Sequence, residues 1–265
     1  MAIGINTIVM TRVLVTILVT SLATFNACKG VTTASNNPTQ PNDAIPEAVE
    51  QPAQELPEFI TRGFTVIEEG HQDQFGCVGK VLKENGDLIG SCVLVSPRVV
   101  LTAAHCLEDG EAYWFETNDC ERIRITKCLP HKDYQTQSTL NDIGLFVLET
   151  SSSKTPATLL TTLGDLNRLE PLTTVGYSFC KKKISKPQTF FYYGTILEDP
   201  SHIKFLPLNG TVWFGDSGGA LFEDSGKLAG ILCSFAIYQG HLIENSATHV
   251  VIYLDWINTI IQENK

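Results

Sequence analysis

Beyond about residue 75 the chain is built of short runs in which apolar and polar residues alternate, each bounded by Gly, Asn, Asp, Pro or Ser. A two-residue period marks strands with one face buried. Cys77–Lys83 and Asp87–Val95 flank Asn85-Gly86, a pair that accepts positive φ at both central positions of a hairpin turn. Val99–Thr102, Ala112–Glu116, Arg122–Lys127 and Ile143–Leu148 complete a first group of six strands. A Ser/Thr-rich stretch around Thr150–Thr162 reads as a connection. The second group is Leu172–Tyr177, Phe190–Leu197, Ile203–Phe205, Ala220–Phe222, Leu228–Phe235 and His249–Ile252. The period then changes, and Ile252, Trp256, Ile257, Ile260 and Ile261 fall on one face of a helix. The predicted fold is all-β: two tandem six-stranded antiparallel β-barrels, at about 64–150 and 160–250, with a C-terminal α-helix at about 252–263.

The N-terminal quarter reads differently. Val13–Phe25 is apolar, short for a membrane span and suited to the core of a signal peptide. Read from Met10, Arg12 precedes the apolar run directly, the arrangement expected for export. Cys28 in Phe25-Asn26-Ala27-Cys28 resembles a bacterial lipoprotein processing site and is the lipidation candidate; cleavage after Ala23 or Ala27 is the alternative. Residues 29–58 are rich in Pro, Thr, Asn, Gln, Ala and Glu and too poor in apolar groups to offset chain ordering, as in a disordered linker or propeptide. The expected division is thus 1–28 signal peptide, 29–58 linker and 59–265 folded domain, and the protein is expected to be exported: secreted, periplasmic or outer-membrane-associated. Contact with a membrane is expected only through a lipid on Cys28.

Composition narrows the function. A net charge of −10 and a pI near 5.0 leave no basic footprint for nucleic acid. The one dense basic run, Lys181-Lys182-Lys183, reads as a solvated loop. Of the eight cysteines, seven follow Cys28, an odd number for complete pairing in an oxidising compartment. Cys120 and Cys128 bracket an alternating run. If that run is straight they stand roughly 26 Å apart at about 3.3 Å per residue, beyond disulfide reach. Cys-x-x-Cys is absent and Cys128-Leu-Pro-His131 is a lone half-site, so zinc is not expected.

Three separated segments carry chemistry: Thr102-Ala103-Ala104-His105-Cys106, Asn141-Asp142-Ile143-Gly144-Leu145 and Gly215-Asp216-Ser217-Gly218-Gly219. A serine hydroxyl barely ionises near neutral pH and needs an imidazole to take its proton as it attacks. The imidazole needs a carboxylate to fix its tautomer and stabilise the imidazolium. Each segment alone has a structural reading, as a turn, a buried histidine or a strand-end cap; together they supply nucleophile, base and acid. The pentapeptide also fits the Gly-x-Ser-x-Gly elbow of α/β-hydrolases. That fold requires a helix after the serine and the order Ser, acid, His, whereas here a hairpin follows and the order is His, Asp, Ser.

From about Phe75 onward, the motifs Leu101–Cys106, Asn141–Phe146 and Gly215–Leu221 resemble those of the trypsin/chymotrypsin family of serine endopeptidases, in an exported member of bacterial type. The resemblance implies peptide-bond hydrolysis through an acyl-enzyme, with Ser217 as nucleophile, His105 as general base and acid, and Asp142 orienting it. It implies an oxyanion hole from the backbone N–H groups of Gly215 and Ser217. Thr211, Ser234, Phe235 and Asn245 fall at substrate-binding positions, Ser234-Phe235 after one inserted residue at or before Cys233. Thr211 stands where trypsin-like members carry aspartate, which disfavours cleavage after Arg or Lys. Asp216 matches the acid that receives a freed N-terminal amine in zymogen-type members, and Arg62-Gly63 is the expected cleavage point. Cys92 and Cys106 are the implied disulfide. No cofactor is implied. The expected partners are a protein or peptide substrate and a proteinaceous inhibitor. The alternative is a homologue that has lost catalysis and serves as a protein-binding module.

Overall fold

The computed structural model describes residues 58–107, 113–136, 138–163, 171–185, 190–192, 200–207, 212–238 and 241–265. The expected signal peptide, Cys28, nearly all of the linker, and Thr211 lie outside the described residues. A short helix, α1 (Glu58–Thr61), leads through Gly63 into β1 (Phe64–Ile67). Strands β2 (Val78–Lys83), β3 (Leu88–Ser96), β4 (Val99–Thr102), β5 (Tyr113–Thr117), β6 (Arg122–Pro130) and β7 (Gly144–Leu148) then close a barrel in the order β2-β3-β4-β7-β6-β5. Its alternation is clearest in β5, where Tyr113, Phe115 and Thr117 are buried and Trp114 and Glu116 less so.

The second half contributes β8 (Pro171–Ser178), β9 (Lys181–Ser185), β10 (Phe190–Tyr192), β11 (His202–Pro207), β12 (Ala220–Phe222), β13 (Leu228–Tyr238) and β14 (His241–His249). Antiparallel pairs run β8-β10-β11-β14-β13-β12, and β12 returns to β8, closing a second six-stranded ring. A turn of 3-10 helix (Val250–Tyr253) and α2 (Leu254–Glu263) end the chain. Fully buried Leu94, Leu101, Phe115 and Phe146 fill the first barrel, and Ile203, Phe205, Leu221 and Ile231 lie in the second. Each such side chain contributes about 1.5–3 kcal/mol relative to exposure.

Four local expectations are corrected. The Asn85-Gly86 hairpin forms, but only Gly86 adopts positive φ, at 88°. Its N–H donates to the Lys83 carbonyl at 3.0 Å, a type I turn whose extra residue is absorbed by a register shift at Val81/Leu82. Phe64–Ile67, within the span given to the first barrel, instead pairs with β9 in the second sheet. The last strand ends at His249 rather than beginning there. Its core-facing side includes Asn245 and His249, both fully buried, and this masks the apolar period. Ile252, placed on the helix face, sits in the 3-10 turn and is exposed.

The lysine run is a fifth correction. It is β9, not a solvated loop. Lys182 and Lys183 are buried, Lys182 on the Asp73 carboxylate (2.8 and 3.0 Å) and Lys183 on that of Asp216 (2.7 Å). Each charge is buried because an opposite charge is buried with it.

Candidate active site

Small, buried Ala103 and Ala104 let the chain leave β4 in a single turn of 3-10 helix (Ala104–Cys106), which presents His105 at the barrel end. The His105 backbone N–H donates to Asp142 Oδ1 at 2.9 Å, and its ring Nδ1 lies 2.7 Å from Oδ2. An ionised carboxylate only accepts, so Nδ1 carries the proton and Nε2 is left as the basic nitrogen. Asp142 is nearly fully buried, whereas the His105 side chain keeps 37% of its surface. Burial disfavours charge on the ring. The Cys106 sulfur and the Asp142 carboxylate outweigh it and raise the imidazole pKa well above its ordinary range.

The Asp142 loop is itself held from two sides. Asn141 before it adopts φ 56°, and its side-chain oxygen accepts from the Tyr253 hydroxyl at 2.9 Å. The Thr248 hydroxyl donates to the Asp142 backbone carbonyl at 2.9 Å. Thr248 belongs to β14 and Tyr253 to the segment after it, so the second half of the chain positions the acid of the first.

Ser217 follows a tight turn. The Asp216 N–H donates to the Trp213 carbonyl at 3.0 Å and Gly215, third in the turn, has φ 96°, the signature of type II. A Cβ on Gly215 would lie 2.3 Å from the Tyr177 carbonyl, and one on Gly218 (φ 83°) 2.1 Å from that of Ser91, so both must be glycine. Ser91 of β3 clamps the loop across the barrel interface. Its N–H donates to the Ser217 carbonyl at 2.7 Å and its hydroxyl to the Gly215 carbonyl at 2.8 Å. With those carbonyls turned inward, the N–H groups of Gly215 and Ser217 make no hydrogen bond among the described residues.

The two halves of the site meet. The Ser217 carbonyl lies 3.9 Å from the sulfur of Cys106, the residue after His105. Among the described residues no hydrogen bond within 3.5 Å joins the Ser217 hydroxyl to the His105 ring. In unliganded sites such bonds are commonly long and tighten on substrate.

The domain model of the trypsin-like peptidases matches residues 90–231, which span all three segments. The chain belongs to the trypsin-like peptidase family. No curated protein matches it significantly in sequence. Solved structures with the same fold include neuropsin, a serine protease of mouse brain (20% identity, 71% of this chain and 95% of that one, TM-score 0.60). Kallikrein-related peptidase 10 is similar (19%, 76% and 100%, TM-score 0.60), as is a mutant of human heparin binding protein (16%, 77% and 97%, TM-score 0.62).

Several features of this trypsin-like peptidase were not foreseen. Cys92 and Cys106 are both free thiols. The position that abuts Cys106 is Gly90, where a Cβ would lie 2.9 Å from the sulfur, whereas Cys92 Sγ faces the Gly79 carbonyl at 3.7 Å. No disulfide joins Cys120 and Cys128, and β6, with a bulge between Ile125 and Lys127, runs between them. In β13 the residue in excess is Cys233, a bulge between Leu232 and Ser234. It sets Phe235 opposite Asn245. Asn245 is fully buried, and among the described residues neither its side-chain oxygen nor its nitrogen has a partner. Trp213 stacks on Phe235 (centroids 5.5 Å apart) and Phe214 meets both edge-on, with Phe214 half exposed three residues before Ser217. The two adjacent aromatics before Gly215 were the available signal for this wall.

Of the remaining histidines whose side chains are described, His71 is exposed and the others keep structural roles. His131 packs edge-on against Tyr253 and Trp256, and buried His202 bonds the Thr139 carbonyl at 2.7 Å. A cleft of about 790 Å³ lined by Asp73, Asn118, Lys154 and Glu223 contains none of the three chemical segments.

Proposed function

We propose that the protein is a serine endopeptidase acting through an acyl-enzyme. The observation that carries this reading is the paired bond from His105 to Asp142 beside a nucleophile loop with two unengaged N–H groups. Ser217 attacks the scissile carbonyl as His105 Nε2 takes its proton. The negative oxygen of the tetrahedral intermediate is met by the N–H groups of Gly215 and Ser217, each such donor lowering the barrier by roughly 3–4 kcal/mol. His105 then returns the proton to the leaving amine, and water activated by the same ring releases the acyl group. Asp142 keeps the ring in the required tautomer throughout.

The substrate is a protein or peptide. Its backbone is proposed to add to β13 at Ser234-Phe235 by strand pairing, which reads main chain rather than sequence. An aromatic wall beside the nucleophile, a neutral Asn245 and a threonine at residue 211 favour small or uncharged side chains at the cleaved position. We further propose, from the apolar N-terminal run and the linker composition alone, that the domain is exported.

One observation favours the second reading, a binding module without catalysis: the Ser217 hydroxyl is not yet bonded to the His105 ring. Labelling with an organophosphonate separates the two. Stoichiometric modification of Ser217, absent in Ser217→Ala, is expected; an unmodified wild-type protein would mean the site does not activate its serine.

A further inference from the structure

We propose that Lys183 is the cation that holds the oxyanion-hole turn in its working shape, so that the uncut chain is already competent. This deepens the endopeptidase reading and rests on it. Lys183 Nζ lies 2.7 Å from Asp216 Oδ2, and both side chains are at most 2% exposed. The same oxygen accepts from the Ser178 hydroxyl at 2.9 Å and from the Trp213 backbone N–H at 2.8 Å. Trp213 opens the turn whose third residue is Gly215. A line of direct contacts therefore runs from the ammonium through the carboxylate to the N–H that would meet the substrate oxygen. A buried carboxylate without a counterion is costly, and its relief would be to swing outward and take the turn with it.

The placement of Lys183 is built into the fold. It stands on β9 opposite Gly176 and Val66. A Cβ on Gly176 would lie 2.7 Å from Asp216 Oδ1, so glycine admits the acid. The Lys183 ammonium also sits over the Phe64 ring, 4.3 Å from its centroid, on the strand that seals this edge. Just before β1 begins, the Arg62 N–H donates to the Glu58 carbonyl at 2.8 Å. On this proposal the partner of Asp216 is a cation from inside the fold rather than an amine freed by cleavage at Arg62-Gly63. The pair could instead lock an inactive turn. Such a lock would turn the Gly215 peptide over and give its N–H an internal acceptor, whereas here Gly215 has φ 96° and its N–H has none among the described residues.

The test uses the full chain bearing Arg62→Gln, shown by intact mass to be uncut, beside wild type, Lys183→Met and Lys183→Arg. Phosphonate labelling of Ser217 and peptide turnover are followed, with circular dichroism melts to verify folding. The uncut Arg62→Gln chain is expected to match wild type. Lys183→Met is expected to lose roughly 100-fold or more in kcat with little change in KM, the loss of one oxyanion donor. Lys183→Arg should recover much of it, which a purely structural role in the melt would not require. If Lys183→Met fails to fold, the Arg62→Gln chain decides alone. Activity appearing only after cleavage upstream of β1, or a folded Lys183→Met labelled at the wild-type rate, would overturn the inference. Absence of labelling in every form, cut or uncut, is a different result; it defeats the endopeptidase reading and this inference with it.

Discussion

Asp142 acts on His105 through two bonds rather than one, and the pair sets how activity should depend on pH. The backbone bond fixes where the residue sits, and the ring bond fixes which nitrogen is free. The base must be neutral to accept a proton, and its pKa is raised, so the neutral form appears only at higher pH. Activity should therefore rise with pH along an acid limb centred above the ordinary imidazole value of 6.5. Asp142→Asn removes the charge that stabilises the imidazolium. It should cut kcat by about 10⁴-fold and move the limb to lower pH. A kcat/KM profile measured from pH 5 to 9 checks both. A limb centred below that of the Asn variant would show that the carboxylate does not control the ring.

At the scale of elements, β14 and the turn after it link the site to stability. Thr248 and Tyr253 hold the Asp142 loop, and His249 between them caps the 3-10 turn, its Nδ1 accepting from the Val251 N–H at 3.4 Å. Burial pushes the His249 ring down to about 4 from 6.5, against a smaller opposing pull from the Ala229 backbone. Its Nε2 has no hydrogen-bond partner among the described residues. A depressed folded pKa means the unfolded chain binds the proton first as pH falls. The neutral ring's contribution is thus intact above about pH 6.5 and is lost progressively toward pH 4, amounting to about 3 kcal/mol when complete. Melting temperature should fall across this window in wild type and fall less steeply in His249→Gln. Equal slopes would show that His249 does not titrate with unfolding. The β8–β9 hairpin is the other element that matters, because it brings Lys183 to Asp216 and Gly176 leaves room for the acid.

For the whole molecule, what could be read in advance was what local chemistry dictates. Alternation located both barrels, the switch to a helical period located α2, and the three motif segments fall together at the barrel ends. What escaped depends on partners distant in sequence. Lys182 and Lys183 look solvated until Asp73 and Asp216 are brought to them, and β14 hides its period because its inward residues are polar. Ser91 carries no motif, yet its N–H and hydroxyl hold both carbonyls of the nucleophile loop. The family resemblance implies Cys92 as the partner of Cys106, but the contact belongs to Gly90 two residues away. The central claim is that these distant segments assemble a working serine nucleophile. Digestion of a mixed peptide library by the wild-type chain beside Ser217→Ala tests it most directly. The account predicts cleavage by wild type alone, away from Arg and Lys. Identical products from both proteins, or none from either, would contradict it.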